Sequence, residues 1–425
     1  MTGNSWKNWS GSVSAHPKSL ARPQDQDALA DLVRNAPGPI RVAGSGHSFT
    51  PLVASDGTIV DLSALSGLVR HDPSTHRATI GTGTKIGDLT KLLYGVGQGL
   101  PNMGDIDKQT IGGALGTATH GSGQTLGAYH TQLTHIKMVD GKGDVREFSN
   151  ETSREWIEAT GVALGAFGIF TEVTMQNMAS YRLHKKRDVT PIGDMLANFE
   201  HFMLGHRSAE FYFIPFSGHA MGLTCDLSDE PVTIRPPEAD EDGIATLKML
   251  RNWLTWFPWA RRKLIGSALA KVPPEDYVQD WLNVYTSDRV QKFNEMEYHL
   301  PFEEGAKALK EIIDLSEKHF PEVYFPMEVR SVAPDNFWLS PFYKRLTCSI
   351  AVHHDAAENP VTFTRACEAI FRKYGGRPHW GKMHNLRAPD FAALYPRWND
   401  AMTVRREIDP DERFISPYLK QVFGL

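Results

Sequence analysis

The chain has little cysteine: Cys225, Cys348 and Cys367 are the only three in 425 residues. They are widely spaced, odd in number and form no Cys-x-x-Cys pair, which counts against a disulfide framework or a structural zinc site and fits a reducing compartment. No uninterrupted apolar run reaches the roughly 18 residues of a membrane-spanning helix. The start, Met-Thr-Gly-Asn-Ser-Trp, lacks the basic stretch and apolar core of a secretory signal. Neither charge is in excess: Lys+Arg 45 against Asp+Glu 50, net -5, offers no general attraction to nucleic acid. No internal repeat is visible. These absences leave a cytoplasmic enzyme of small-molecule chemistry as the plain expectation, with no nucleic-acid partner and no metal. What remains is an ordinary globular composition, 41% hydrophobic and 22% charged, and a length that suits two or three domains.

The rest of the chain is organised around Arg41 to Leu52. Pro37-Gly38-Pro39 ends a helix expected over Pro23 to Asn35, and Ile40 to Ala43 then reads as a short buried strand. The strand opens into Gly44-Ser45-Gly46, where backbone can come close to a ligand and present N–H groups to it. His47, Ser48 and Phe49 follow. On residue type alone, a loop histidine is more often an ordinary half-exposed residue. Thr58 to Leu62 and Arg77 to Gly81 are further strand candidates. Gly81-x-Gly83-x-x-x-Gly87 lacks the downstream acid of a dinucleotide-binding motif and reads as a strand-to-helix turn before Ile86 to Leu93.

A second glycine-rich block begins at Leu100-Pro101-Asn102-Met103-Gly104-Asp105 and continues from Thr110 to Gly123. Its small residues leave little to fill a core, so it can lie against a flat ligand or hold a diphosphate. Read without context, a merely close-packed loop is the less frequent alternative. A third block, Leu164 to Ile169, sits between a helix expected over Ser153 to Val162 and a strand over Ile169 to Met175.

From Tyr181 the chain becomes richer in aromatics and charge. Glu210 to Pro215 reads as a strand and Glu230 to Asp242 as an acidic loop. Leu250 to Ile265 carries Trp253, Trp256, Phe257, Trp259 and a basic cluster. Such a segment can lie on a membrane or clamp a partner, but a cap helix with its aromatic face buried is the more frequent outcome. Period-two alternation puts Glu328 and Arg330 on one face of a strand, an arrangement that is often only a surface ion pair. It also pairs Ala351 with His353 in the next strand, and Lys382 with His384 in Arg377 to His384. Both histidines read as well as satisfied polar residues at strand ends.

Gly-Ser-Gly-His-Ser-Phe closely resembles the flavin-attachment segment of the vanillyl-alcohol-oxidase-type FAD proteins, in the branch of aldonolactone and alditol oxidases. The second block resembles that branch's Gly-Gly-x-x-x-x-x-x-His-Gly-x-Gly segment, and the Glu-x-Arg strand, His379-Trp-Gly-Lys382 and Ile408 to Tyr418 also match. The resemblance implies an α+β fold. A two-lobed PCMH-type FAD-binding domain spans residues 1–177, and a cap domain over 178–376 has an antiparallel sheet flanked by helices. Residues 377–425 complete the active site and return to the FAD domain. It implies FAD, bonded covalently through His47. The cofactor's other contacts fall on Arg41, Gly44, Ser45, Gly46, Ser48, Gly104, Gly112, Gly113, Gly116, Thr117, Thr119, His120, Gly121, Ser122, Gly168, Ile169 and His379. Glu328, Arg330, Lys382, His353 and Asp105 are the implied catalytic residues. The implied reaction is oxidation of a secondary alcohol of an aldono-1,4-lactone by hydride transfer to flavin N5, with reoxidation by dioxygen or another acceptor. An alditol such as xylitol or sorbitol is the rival substrate. Alditol oxidases have Ser where this chain has Asp105, and Gly104 to Gln109 and Glu295 to Pro301 look more like the bacterial L-gulono-1,4-lactone oxidoreductases. That favours a lactone.

Overall fold

The computed structural model describes residues 4–236, 240–286 and 291–425. The first lobe is built on a three-stranded parallel sheet, with Thr58–Asp61 between Ser19–Ala21 and Ile40–Ala43. Helix Gln26–Asn35 starts where Asp25 accepts a 2.8 Å bond from the Ala28 amide, as expected of an acidic N-cap. Its buried Leu29, Ala30 and Val33 pack with Ile40 and Val60 of the sheet.

The second lobe is a five-stranded antiparallel sheet in the order Val145–Ser149, Leu133–Val139, Ile169–Gln176, Arg77–Gly81 and Leu68–Asp72. The expected turn at Gly81–Lys85 does connect strand to helix, here Ile86–Gly95. Helix Ile111–Gly116 is the short element at the centre of the second glycine-rich block.

The cap is an eight-stranded antiparallel sheet. Its order is Glu275–Asp280, Arg182–Pro191, His219–Leu227, Ser208–Ile214, Met327–Val332, Thr347–Asp355, Phe293–Pro301 and Arg377–Pro378. An α+β architecture with a two-lobed first part and an antiparallel cap sheet is what the sequence implied. The chain also returns to its beginning. The Ile40 amide donates to the Arg413 carbonyl at 2.7 Å, and the Arg413 guanidinium reaches the Val33 carbonyl at 2.6 Å.

Three local expectations are corrected. Arg377 to His384 is not a continuous strand: only Arg377–Pro378 pair with the sheet, and the chain then turns. Lys382 and His384 therefore do not share a face. Lys382 meets Glu295, whereas His384 is bonded to the Tyr418 hydroxyl at 2.9 Å and set against Phe391. The aromatic segment is also reversed. Helices Asp240–Leu254 and Pro258–Leu269 carry it, and Trp253, Trp256, Phe257 and Trp259 point to solvent. The inward positions are taken by aliphatic residues and by two arginines. Arg261 is fully buried, donating to the Pro321 and Val323 carbonyls with its guanidinium 4.2 Å from the Phe216 ring. Arg251 lies 4.6 Å over Tyr324. Arginines bonded to backbone carbonyls and set over aromatic rings fill the slots that the aromatics had been expected to occupy. The segment read as an acidic loop ends in helix from Asp240, and residues 237–239 lie outside the described residues.

Candidate active site

One face of the cap sheet is lined with polar side chains although its strands are buried. Antiparallel register sets Glu210 opposite Arg330, Tyr212 opposite Glu328, Ser349 opposite Arg330, and Glu295 opposite His353. Alternation then sends Glu295, Glu297 and His299 to the same side. This face bounds a cavity of about 820 Å³ that also touches Gly104, Asp105, Thr119, His120, His379 and Lys382. Thus Asp105, Glu328, Arg330, His353 and Lys382, far apart in the chain, line one space.

Arg330 is the hub of one half. Its guanidinium contacts Glu328 at 2.6 Å, Glu210 at 2.7 Å and Asp105 at 3.5 Å. Tyr212 donates to Glu328 at 2.5 Å. Three carboxylates around one cation cannot all ionise cheaply in a dry site. Burial pushes Glu328 up to about 8; Asp105 and Glu210 push the same way, and Arg330 opposes them. Burial and the same carboxylates keep the Tyr212 phenol protonated.

Lys382 is the hub of the other half. Its ammonium bonds the Glu295 carboxylate, whose other oxygen is 3.7 Å from His353 Nε2. His353 Nδ1 donates to the Pro326 carbonyl at 3.0 Å, fixing the ring. Burial works against the charge on Lys382, but Glu295 and Glu297 hold its pKa above the ordinary lysine value. Glu295, Glu328 and His353 have donor atoms near enough to hold an ion, but Lys382 already supplies the positive charge beside Glu295.

Behind these lies a histidine cluster. His120 bonds Glu297 at 2.9 Å, and the Ser349 hydroxyl donates to the same carboxylate. Burial raises Glu297, but His120, His379 and His299 outweigh it and leave the acid well below its usual range. Burial drives His379 down to about 3, and its Nδ1 accepts from the Gly381 amide at 3.0 Å.

The glycine-rich loops converge beside this cavity. Ser45 donates to the Lys108 carbonyl, tying the first loop to the second block. Gly113 is exposed and Gly116 half-buried, and an added Cβ there would meet Thr110 Oγ1 at a tight 3.3 Å and the Leu164 amide nitrogen at 3.8 Å, so the stretch presents bare backbone with little room for side chains. A backbone surface without side chains, beside a charged cavity, fits the ring and diphosphate of FAD. His47 does not line the cavity but is its neighbour: the Phe49 amide donates to the Gly381 carbonyl at 2.7 Å, joining the histidine's loop to that of Lys382. The His47 ring stacks on Trp9 at 5.2 Å. Burial, then Lys382, lowers its pKa to about 4, so it is a neutral imidazole at pH 7.

Other residues of the expected cradle are occupied by the protein itself. The Arg41 guanidinium donates to the carbonyls of Leu52, Leu164, Gly165 and Phe414. Ser122 donates to the Ala209 carbonyl and accepts from the Ser331 amide. Gly168, at φ +98°, packs against Met138 at the start of strand Ile169–Gln176. Glu210, Tyr212, Glu295, Glu297 and His299 were not singled out from the sequence. Their signal was there: polar residues at every second position of Glu210-Phe-Tyr212 and Glu295-Met-Glu297-Tyr-His299, strands otherwise apolar.

Residues 17–149 match the FAD binding domain family, and with the geometry above this makes the protein a FAD-linked oxidoreductase. Residues 173–422 match the D-arabinono-1,4-lactone oxidase family. The chain is 33% identical over 429 residues to L-gulono-1,4-lactone dehydrogenase of Mycobacterium tuberculosis, covering 99% of each sequence. It is 26% identical to alditol oxidase of a Streptomyces species, covering 98% of each. Cholesterol oxidase from B. sterolicum shares the fold at TM-score 0.80 with 17% identity, over 99% of this chain and 96% of that one. The chain belongs to the D-arabinono-1,4-lactone oxidase family.

Proposed function

We propose that the protein oxidises a secondary alcohol of an aldono-1,4-lactone, such as L-gulono- or L-galactono-lactone, to the ketone. On this reading residues 1–177 carry the cofactor, and residues 178–376 with 377–425 supply the substrate-binding side chains. The observation that supports it is the pair of cations, the buried Arg330 and the half-buried Lys382, each held by carboxylates on the polar face of the cap sheet. A sugar-derived ring presents several hydroxyls, and fixed charged donors and acceptors on two sides of a cavity orient such a molecule. FAD, when bound, supplies the acceptor for the hydride. Lys382 donates to the reacting oxygen and stabilises negative charge as it develops there. The hydroxyl proton passes to the Glu328 carboxylate, whose raised pKa suits a base working near neutral pH. Arg330 holds that carboxylate in place.

The His47 imidazole is proposed as the covalent attachment point. Because the imidazole is neutral, its ring nitrogen carries the lone pair that would attack the flavin's 8α-carbon as that carbon gave up a proton and the flavin took up the electron pair. Dioxygen or another acceptor takes up the electrons afterwards. An alditol is the second reading, and the Asp105 contact with Arg330 weighs against it. A substrate panel tests the function: kcat/KM for L-gulono- and L-galactono-1,4-lactone should exceed that for xylitol and sorbitol, and preference for the open-chain polyols would replace the lactone reading.

A further inference from the structure

The helix pair Asp240–Leu254 and Pro258–Leu269 has two faces. Inward, Ile244, Leu247, Leu250, Ile265 and Leu269 roof the active-site cavity. Outward, at the turn between the helices, Trp253, Trp256, Phe257 and Trp259 are 74%, 89%, 54% and 71% exposed. Four large aromatics within seven residues is far from the scattered single apolar residues of an ordinary surface, and contiguous patches of this kind mark interaction sites. Charge narrows the partner. Lys248, Arg251 and Arg262 are paired with Asp355, Glu358 and Glu317, and Arg261 is buried, which leaves Lys263 and, just past the second helix, Lys271 as the exposed cations of residues 243–274.

We propose that this helix pair docks the protein on an anionic lipid bilayer. Tryptophan rings settle at the headgroup level, where one edge is apolar and the other wet. Lys263 and Lys271, both exposed, face the lipid phosphates. The elements that roof the cavity then rest on the membrane, so docking and access to the site fall on one structural unit.

Flotation of the full-length FAD-loaded protein with vesicles tests this, using phosphatidylcholine alone and phosphatidylcholine mixed with phosphatidylglycerol. The variants are the combined Trp253→Ala/Trp256→Ala/Trp259→Ala and, separately, Lys263→Glu/Lys271→Glu. None of these side chains lines the cavity, and lactone turnover in solution serves as the control for folding. Wild type should float with the anionic vesicles and be released by salt. Both variants should lose apparent affinity by at least about tenfold. Brominated acyl chains should quench wild-type tryptophan emission more than that of the triple variant. Failure of wild type to float, or equal flotation of the tryptophan variant, overturns the proposal. Concentration-dependent dimerisation abolished by the tryptophan substitutions would assign the patch to a second copy and overturn it too.

Discussion

Lys382 and Glu295 form an ion pair whose side chains are only 17% and 4% exposed, next to the histidine that completes the group, His353. A buried pair of this kind contributes little net stability, yet losing one partner leaves a stranded charge at a cost of about 3–5 kcal/mol. Lys382→Met should therefore lower the melting temperature as well as kcat/KM, the latter by about 10²- to 10³-fold if the ammonium stabilises a developing alkoxide. The double change Lys382→Met/Glu295→Gln should regain much of the stability and none of the activity. Thermal melts and steady-state kinetics on the three proteins separate the two effects.

Glu328 sets a pH dependence. Its pKa is raised to about 8 in the folded protein, so as the proposed base it is fully available only above that value. kcat/KM should rise as pH increases through about 8, and Glu328→Gln should flatten that limb. The sign for stability is the opposite. Between about 4.5 and 8 the folded state binds more protons than the unfolded chain at this residue, so its contribution to stability falls as pH rises. Denaturant midpoints of wild type and Glu328→Gln across this range should converge at low pH and separate in favour of Gln as pH increases.

Acid precipitation of the holoprotein should leave the yellow colour in the pellet, and His47→Ala should release it to the supernatant. Colour released from wild type would show that the cofactor is held without a covalent bond.

Arg41 is an anchor for loops. Its bonds to Leu52, Leu164, Gly165 and Phe414 tie the first glycine turn, the third and the C-terminal segment together. Hydrogen bonds from a charged donor contribute about 1.5–3 kcal/mol each. Arg41→Ala should weaken flavin retention and lower the flavin-release temperature, while kcat per bound flavin stays near wild type. A fluorescence-detected melt with flavin titration measures both.

Much of this was legible in the sequence because short periodic patterns carry it. Two-residue alternation placed Glu328 with Arg330 and Ala351 with His353, and turn residues marked the glycine blocks. What could not be read was which strands lie side by side. Glu210 and Glu295 acquire their meaning from cross-strand neighbours over a hundred and about sixty residues away, Arg330 and His353. Nor does composition reveal that an arginine such as Arg261 can be buried on two carbonyls and an aromatic ring, which turned the tryptophans outward. Lys382 and His384 misled for a related reason, since alternation holds only while the chain stays extended, and it turns after Pro378.

The bond from the Ile40 amide to the Arg413 carbonyl also has a meaning in time. A ribosome delivers the parallel-stranded lobe first, but the segment that closes over its edge strand Ile40–Ala43 and engages Arg41 is synthesised more than three hundred residues later. Until then the first lobe waits with a main-chain amide unmatched and the Arg41 guanidinium short of one of its four carbonyl partners. The part begun earliest is thus among the last to be finished, and a nascent chain stalled short of Phe414 should hold its cofactor site open to chaperones and proteases.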